Sequence, residues 1–241
     1  MKQKIYQKKN LKLYALIIII SATGLMTSCS PEYIPNMVNT PVFSNKGEFQ
    51  ATVATGTSNF DAQLGYAITD NIAIIANGSF ADQTNDTTDE FHKHTIIEGG
   101  VGYYKKLANS GRIEVFGGYG MGKIKTYEEN DLFDDDYTDI SFNRIFIQPG
   151  VGAVTDIFDG SFATRVAFVQ MIPSSTSNFE ESWHMFVEPV ITAKIGYRYA
   201  KAVIQIGYSF PVNEESIDYN TQGLIFNFGL TINIGRDYLN L

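Results

Sequence analysis

The chain has one cysteine, one tryptophan and three histidines in 241 residues, and no basic run longer than two after residue 12. A lone cysteine excludes an internal disulfide. Few bases argue against nucleic acid, whose phosphates recruit Lys and Arg. No apolar run approaches the ~20 residues that a spanning helix needs. No window of 11 or more residues beyond position 46 keeps a helical apolar stripe, which excludes a helical architecture. The Gly-x-Ser-x-Gly elbow of the α/β-hydrolases is missing as well.

What is present begins with the N-terminus. Lys2, Lys4, Lys8, Lys9 and Lys12 stand without an acid and precede the apolar LYALIIIISATGL, Leu13–Leu25. A basic stretch, a short apolar stretch and small residues form the layout of a removable secretory signal. Residues 1–28 are therefore expected to be cleaved. Met26, Thr27 and Ser28 lead into Cys29, and this resembles the bacterial lipobox, with Met26 where Leu is usual. The resemblance implies that Cys29 is acylated and anchors the protein in a membrane. The alternative is an ordinary signal that leaves a free thiol. Cleavage leaves 13 of the 18 Lys and Arg against all 26 Asp and Glu, formally −13. That charge disfavours a polybasic docking mode on anionic lipid.

Residues 29–46 carry Pro31, Pro35 and Pro41 and no sustained period, which predicts an extended, lipidated tether. From 47 to 235 the pattern is period two. Ten runs are expected: 47–57, 60–69, 72–80, 94–106, 112–125, 139–155, 161–171, 183–198, 202–212 and 222–234. In the second, Phe60, Ala62, Leu64, Tyr66 and Ile68 share one face and Asp61, Gln63 and Thr69 the other. Short links (69–71, 107–111, 156–160, 199–201) alternate with long polar ones (81–93, 126–138, 172–182, 213–221). Residues 236–241 form a short tail.

Alternating links and apolar-out, polar-in strands resemble the small bacterial outer-membrane β-barrels. The expected fold is all-β, an up-and-down antiparallel β-barrel of about ten strands, with eight as the smaller alternative. The resemblance implies a cell outer-membrane location and outer-membrane lipids as partners. It also implies the lipoprotein-processing and barrel-insertion machineries, and no catalysis. With ten strands both chain ends lie at the short-turn, periplasmic side, where a lipid on Cys29 would also sit. The last strand ends near Ile234 without the usual closing aromatic, although Phe226 and Phe228 lie within it.

Parity places Glu48, Asp61, Glu98, Glu114 and Glu188 inside with Arg112, Arg144, Arg165, Lys194 and Arg198. A narrow lumen fills with side chains, and buried charges must pair, so a charge-paired plug is expected over a selective pore. Mid-strand glycines such as Gly99, Gly100, Gly102, Gly117, Gly118, Gly120, Gly150 and Gly152 leave room for tight curvature. Trp183, Tyr197, Tyr199, Tyr208 and Phe210 near strand ends suit interfacial aromatics.

Four further motifs carry little. Gly117–Ile124 nearly spells a phosphate loop but lies in a strand pattern with Ile where Ser or Thr is needed. The acidic link holding Glu128, Glu129, Asp131, Asp134, Asp135, Asp136 and Asp139 reads as solvated rather than as a cation site. His92, His94 and His184 fall near one mouth without regular ligand spacing, so no metal and no cofactor is expected. A Ser–His lipid hydrolase on a barrel face remains a second alternative. The first alternative is a soluble, lipid-tethered lipocalin-like barrel, apolar inside and holding an apolar ligand.

Overall fold

A computed structural model describes residues 31–85, 90–107, 110–128, 136–174, 181–212 and 220–238. Its regular elements are strands: β1 (Phe49–Gly56), β2 (Asn59–Ala67), β3 (Ile72–Thr84), β4 (Phe91–Leu107), β5 (Gly111–Glu128) and β6 (Asp136–Val154). They continue with β7 (Phe158–Pro173), β8 (Ser182–Tyr197), β9 (Ala200–Tyr208), β10 (Phe210–Pro211) and β11 (Leu224–Ile234). Each strand pairs antiparallel with the next from β1 to β9, β9 pairs with β11, and β11 returns to β1. The ten-strand sheet is closed. The two-residue β10 continues the line of β9 past Ser209 and pairs with β8.

The up-and-down order follows from the turn chemistry. Thr69 Oγ1 accepts from the Asn71 and Ile72 amides, closing the β2–β3 turn. Thr155 does the same for the Phe158 amide before β7. Residues 156–160 are thus less of a turn than the sequence pattern implies, because β7 already begins at Phe158. The β3–β4 and β5–β6 hairpins also run further than expected, to Thr84 and from Phe91, and to Glu128 and from Asp136.

Burial along the alternating strands decides inside and outside. On β2, Asp61, Gln63, Gly65 and Ala67 are buried while Phe60, Leu64 and Tyr66 are exposed. On β9, Lys201, Val203 and Gln205 are buried and Ile204 and Ile206 exposed. The barrel is therefore apolar on its outer surface and largely polar within, the reverse of a soluble barrel. Trp183, Tyr208 and Phe210 stand outward near the long-link end, Tyr197 and Tyr199 near the short-turn end.

The wall is uneven. On β4, β5 and β6 the outward positions turn polar above Ile97, Met121 and Ile145, and Lys93, Lys123 and Lys125 pair there with Asp82 and Asp139 at 2.9–3.2 Å. On β2 the outward face stays apolar to Phe60, and on β11 it does so to Phe226. One arc of the barrel thus projects beyond its apolar band at the long-link end. The arc from β9 through β11 and β1 to β2 does not.

Candidate functional site

The lumen is the site, and it is occupied by the chain itself. Residues 32–43, expected as an external tether, are extended but run through the barrel interior, each buried. The segment has no periodicity because it belongs to no sheet. Instead its backbone is satisfied by side chains of the wall. Arg165 donates to the carbonyl of Asn36, Gln63 to Met37, Gln205 to Val38, Gln148 to Asn39, Lys194 to Thr40, and Gln50 and Arg236 to Pro41. Six consecutive carbonyls are met this way at 2.7–3.1 Å. In the other direction the Val38 and Val42 amides donate to Gln205 and Glu114. Such bonds net only about 1 kcal/mol each, but an unmet buried partner costs roughly 1–3. The amide-bearing wall therefore holds this backbone firmly.

Two ion-pair clusters hold the side chains. In the first, Arg144 meets Glu98 at 2.5 Å, and Arg165 bridges Glu188 at 2.5 Å and Glu98 at 3.4 Å. The inner segment completes it. Asn36 Oδ1 accepts from Arg144 and Arg165 at 2.6 and 2.9 Å while its amide donates to Glu98 at 2.7 Å. The Tyr33 hydroxyl accepts from Arg144 at 3.0 Å and donates to Glu188 at 2.9 Å. The Tyr33 ring stacks on Phe186, with centroids 4.1 Å apart. In the second cluster, near the short-turn end, Arg236 joins Glu48 at 2.5 Å and Asp159 at 2.8 Å, and Lys201 joins Asp159 at 2.6 Å. Tyr238 then covers this end. Its hydroxyl donates to the Arg198 carbonyl, and partial burial pushes the phenol up to about 12.

Nine of the ten parity-assigned charges lie buried in the lumen: Glu48, Asp61, Glu98, Glu114, Glu188, Arg112, Arg144, Arg165 and Lys194. Asp61 stands apart from the ion pairs, bonded to Ser58. Arg198 does not belong. Strand β8 ends at Tyr197, Arg198 turns with φ 45°, and its side chain pairs with Asp156 at the turn. The alternation ends with the strand, so residue parity no longer assigns a face at Arg198. Four further buried charges among the described residues escape the parity pattern: Asp159 and Lys201 in expected turns, Arg236 in the expected tail and Glu32 in the expected tether. Tyr33 and Asn36 were missed because nothing local marks a proline-containing stretch as interior.

The wall shows why glycine recurs. A side chain at Gly65 would meet the Phe43 ring at 2.8 Å, and one at Gly152 would meet Val42 at 2.7 Å. Val42 itself holds φ 49°, a conformation unusual for a β-branched residue. Gly65→Val is expected to lower stability by about 1–3 kcal/mol through overpacking, measured by denaturant unfolding of the folded barrel. An unchanged midpoint would mean that Phe43 does not sit against this strand.

The other candidates separate cleanly. Gly117–Ile124 is part of β5, as its pattern implies. His92 and His94 touch at 3.0 Å, while His184 bonds to Ser182 on β8. Among the described residues no group of three or more His, Cys, Asp or Glu side chains is placed to hold a metal ion. In the acidic link, Glu129, Asp131, Asp134 and Asp135 lie outside the described residues, as does Cys29. Ser79 Oγ lies 3.1 Å from His94 Nε2, a nucleophile–base distance that the sequence reading did not single out. Ser79 is only 3% exposed and faces the lumen. No protein-family model matches the chain, and no curated protein matches it in sequence.

Proposed function

We propose that this protein is an outer-membrane β-barrel lipoprotein with a sealed lumen, serving a structural or surface-interaction role rather than catalysis or solute passage. The observation that carries the reading is the inverted polarity of the barrel. Exposed Ile97, Val101, Ile191, Ile195, Leu230 and Ile234 form an outer band, and charges and amides line the inside. In water such a band is a large unpartnered apolar surface. In lipid it is the expected one, because closure satisfies every backbone group internally. A lipocalin-like ligand chamber fits poorly, since the space that it would need holds residues 32–43.

The anchor reading rests on the lipobox resemblance at Cys29. There the thiol sulfur would take a diacylglyceryl group from a membrane phospholipid, with the phosphorylated headgroup leaving with the thiol proton. Partners are then outer-membrane lipids and the lipoprotein-processing and barrel-insertion machineries of a bacterial envelope.

The experiment that tests the membrane reading is a lysine scan of the wall. Ile206 is 54% exposed and mid-strand, so Ile206→Lys should cost about 2–4 kcal/mol at a bilayer midplane. The wild type should need detergent for extraction and migrate differently on a gel unheated than boiled. Tolerance of Ile206→Lys together with detergent-free extraction of Cys29→Ala would return the protein to a soluble, tethered barrel.

A further inference from the structure

The segment inside the barrel has a direction. At the short-turn end, Gly47 turns with φ +80° into β1, the Lys46 amide bonds to Asp70 and the Asn45 side chain to the Gly235 carbonyl. At the other end Tyr33 makes a parallel bridge with Thr221, the Glu32 amide bonds to the Asn220 carbonyl, and the Gln222 amide to the Tyr33 carbonyl. Residues 213–221 are a long link. The described chain therefore enters the lumen at the long-link end and descends, so Glu32 and Tyr33 lie at the end opposite the C-terminal tail.

We infer that the acyl chains on Cys29 lie in the outer, surface-facing leaflet, threaded there by a polypeptide that passes through its own barrel. This rests on the membrane and lipidation reading above, and it reverses the expectation that the anchor shares the periplasmic side with the C-terminus. Distances decide it. Cys29 precedes Tyr33 by four residues, a reach of roughly 14 Å. Thr221, the bridge partner of Tyr33, precedes Leu224 and the apolar outer face of β11 by three residues, roughly 10 Å of chain. The exit therefore lies beside the arc where the apolar band runs nearly to the rim, within reach of the near leaflet. The far leaflet lies beyond a hydrocarbon core about 30 Å thick. Residues 30–46 could span that thickness if free outside the barrel, but residues 32–43 of them run inside it. The lumen offers no return path either, since Asn36 to Pro41 are bonded to the wall along its length.

Display of tags on intact cells tests this. A short epitope between Ser30 and Pro31 should bind antibody on intact cells, and the same epitope after Leu241 only after permeabilisation. Incorporation of an alkyne fatty acid should be lost in Cys29→Ala. Threading is checked separately by Thr40→Cys/Thr192→Cys in the Cys29→Ala background, since these hydroxyls lie 3.2 Å apart. The pair should oxidise in the folded barrel and shift its unheated mobility. A hidden N-terminal epitope on a chain that still incorporates fatty acid and still needs detergent overturns the inference and leaves the barrel standing. Failure of the cysteine pair to oxidise in a heat-modifiable barrel overturns it as well. A Cys29→Ala protein that is released without detergent and shows no heat-dependent mobility sinks the membrane reading instead.

Discussion

Deleting Pro31–Phe43 should turn an electrically silent barrel into a conducting one. The intact protein is expected to stay near baseline in planar bilayers, because the six carbonyls from Asn36 to Pro41 are bonded to the wall across the lumen. Without that segment Gln50, Gln63, Gln148 and Gln205 lose their backbone partners, and water can take them. The wall itself remains paired through its strand ladder and its salt bridges, so the sheet keeps a reason to close. Discrete current steps from the deletion variant, absent from the wild type, are the expected record. A heat-modifiable deletion variant that stays silent would show that wall side chains such as Phe116, Phe142 and Phe186 close the lumen unaided. Large steady currents from the wild type would show that the segment does not seal it.

The second large effect is on stability. Arg144 is fully buried and meets Glu98, Tyr33 and Asn36. Arg144→Ala should cost about 3–5 kcal/mol, because it leaves the buried Glu98 carboxylate with the neutral Asn36 and Asn77 amides and, as its one remaining cation, Arg165 at 3.4 Å. Arg198→Ala removes a pair of similar length, 3.0 Å to Asp156, but one whose side chains are 31% and 26% exposed. Its loss should be far smaller, because water screens an exposed pair. Denaturant midpoints of the two variants in the same detergent supply the comparison. Equal losses would mean that the lumen is hydrated enough to screen its charges, and the sealed-lumen reading would fail with it.

The architecture was legible in the residues because period two is a local property. Phe60, Leu64 and Tyr66 against Asp61 and Gln63 need no knowledge of the partner strand to be assigned to faces. Nine of the ten inward charges followed from that rule alone, and Arg198 was lost only where the rule outran the strand. Ladder partners were inferred from connection length, since short links leave consecutive strands no other neighbour.

The contents of the barrel were not legible. Pro31 to Lys46 has no period because its hydrogen bonds run to wall side chains on many different strands, and such partners leave no spacing in the sequence. Gln50, Gln63, Gln148 and Gln205 look like ordinary polar inward residues until the carbonyls that they meet are in place. Asp159, Lys201 and Arg236 look like turn and tail residues until the sheet brings Glu48 beside them. Neighbours two positions apart are enough to sort each strand's residues onto two faces, while the burial of Asp61, Gln63 and Gln205 assigns the polar face to the lumen. What fills the lumen, and the end at which Tyr33 lies, come from contacts between residues as far apart as Tyr33 and Glu188, and no spacing along the chain records those.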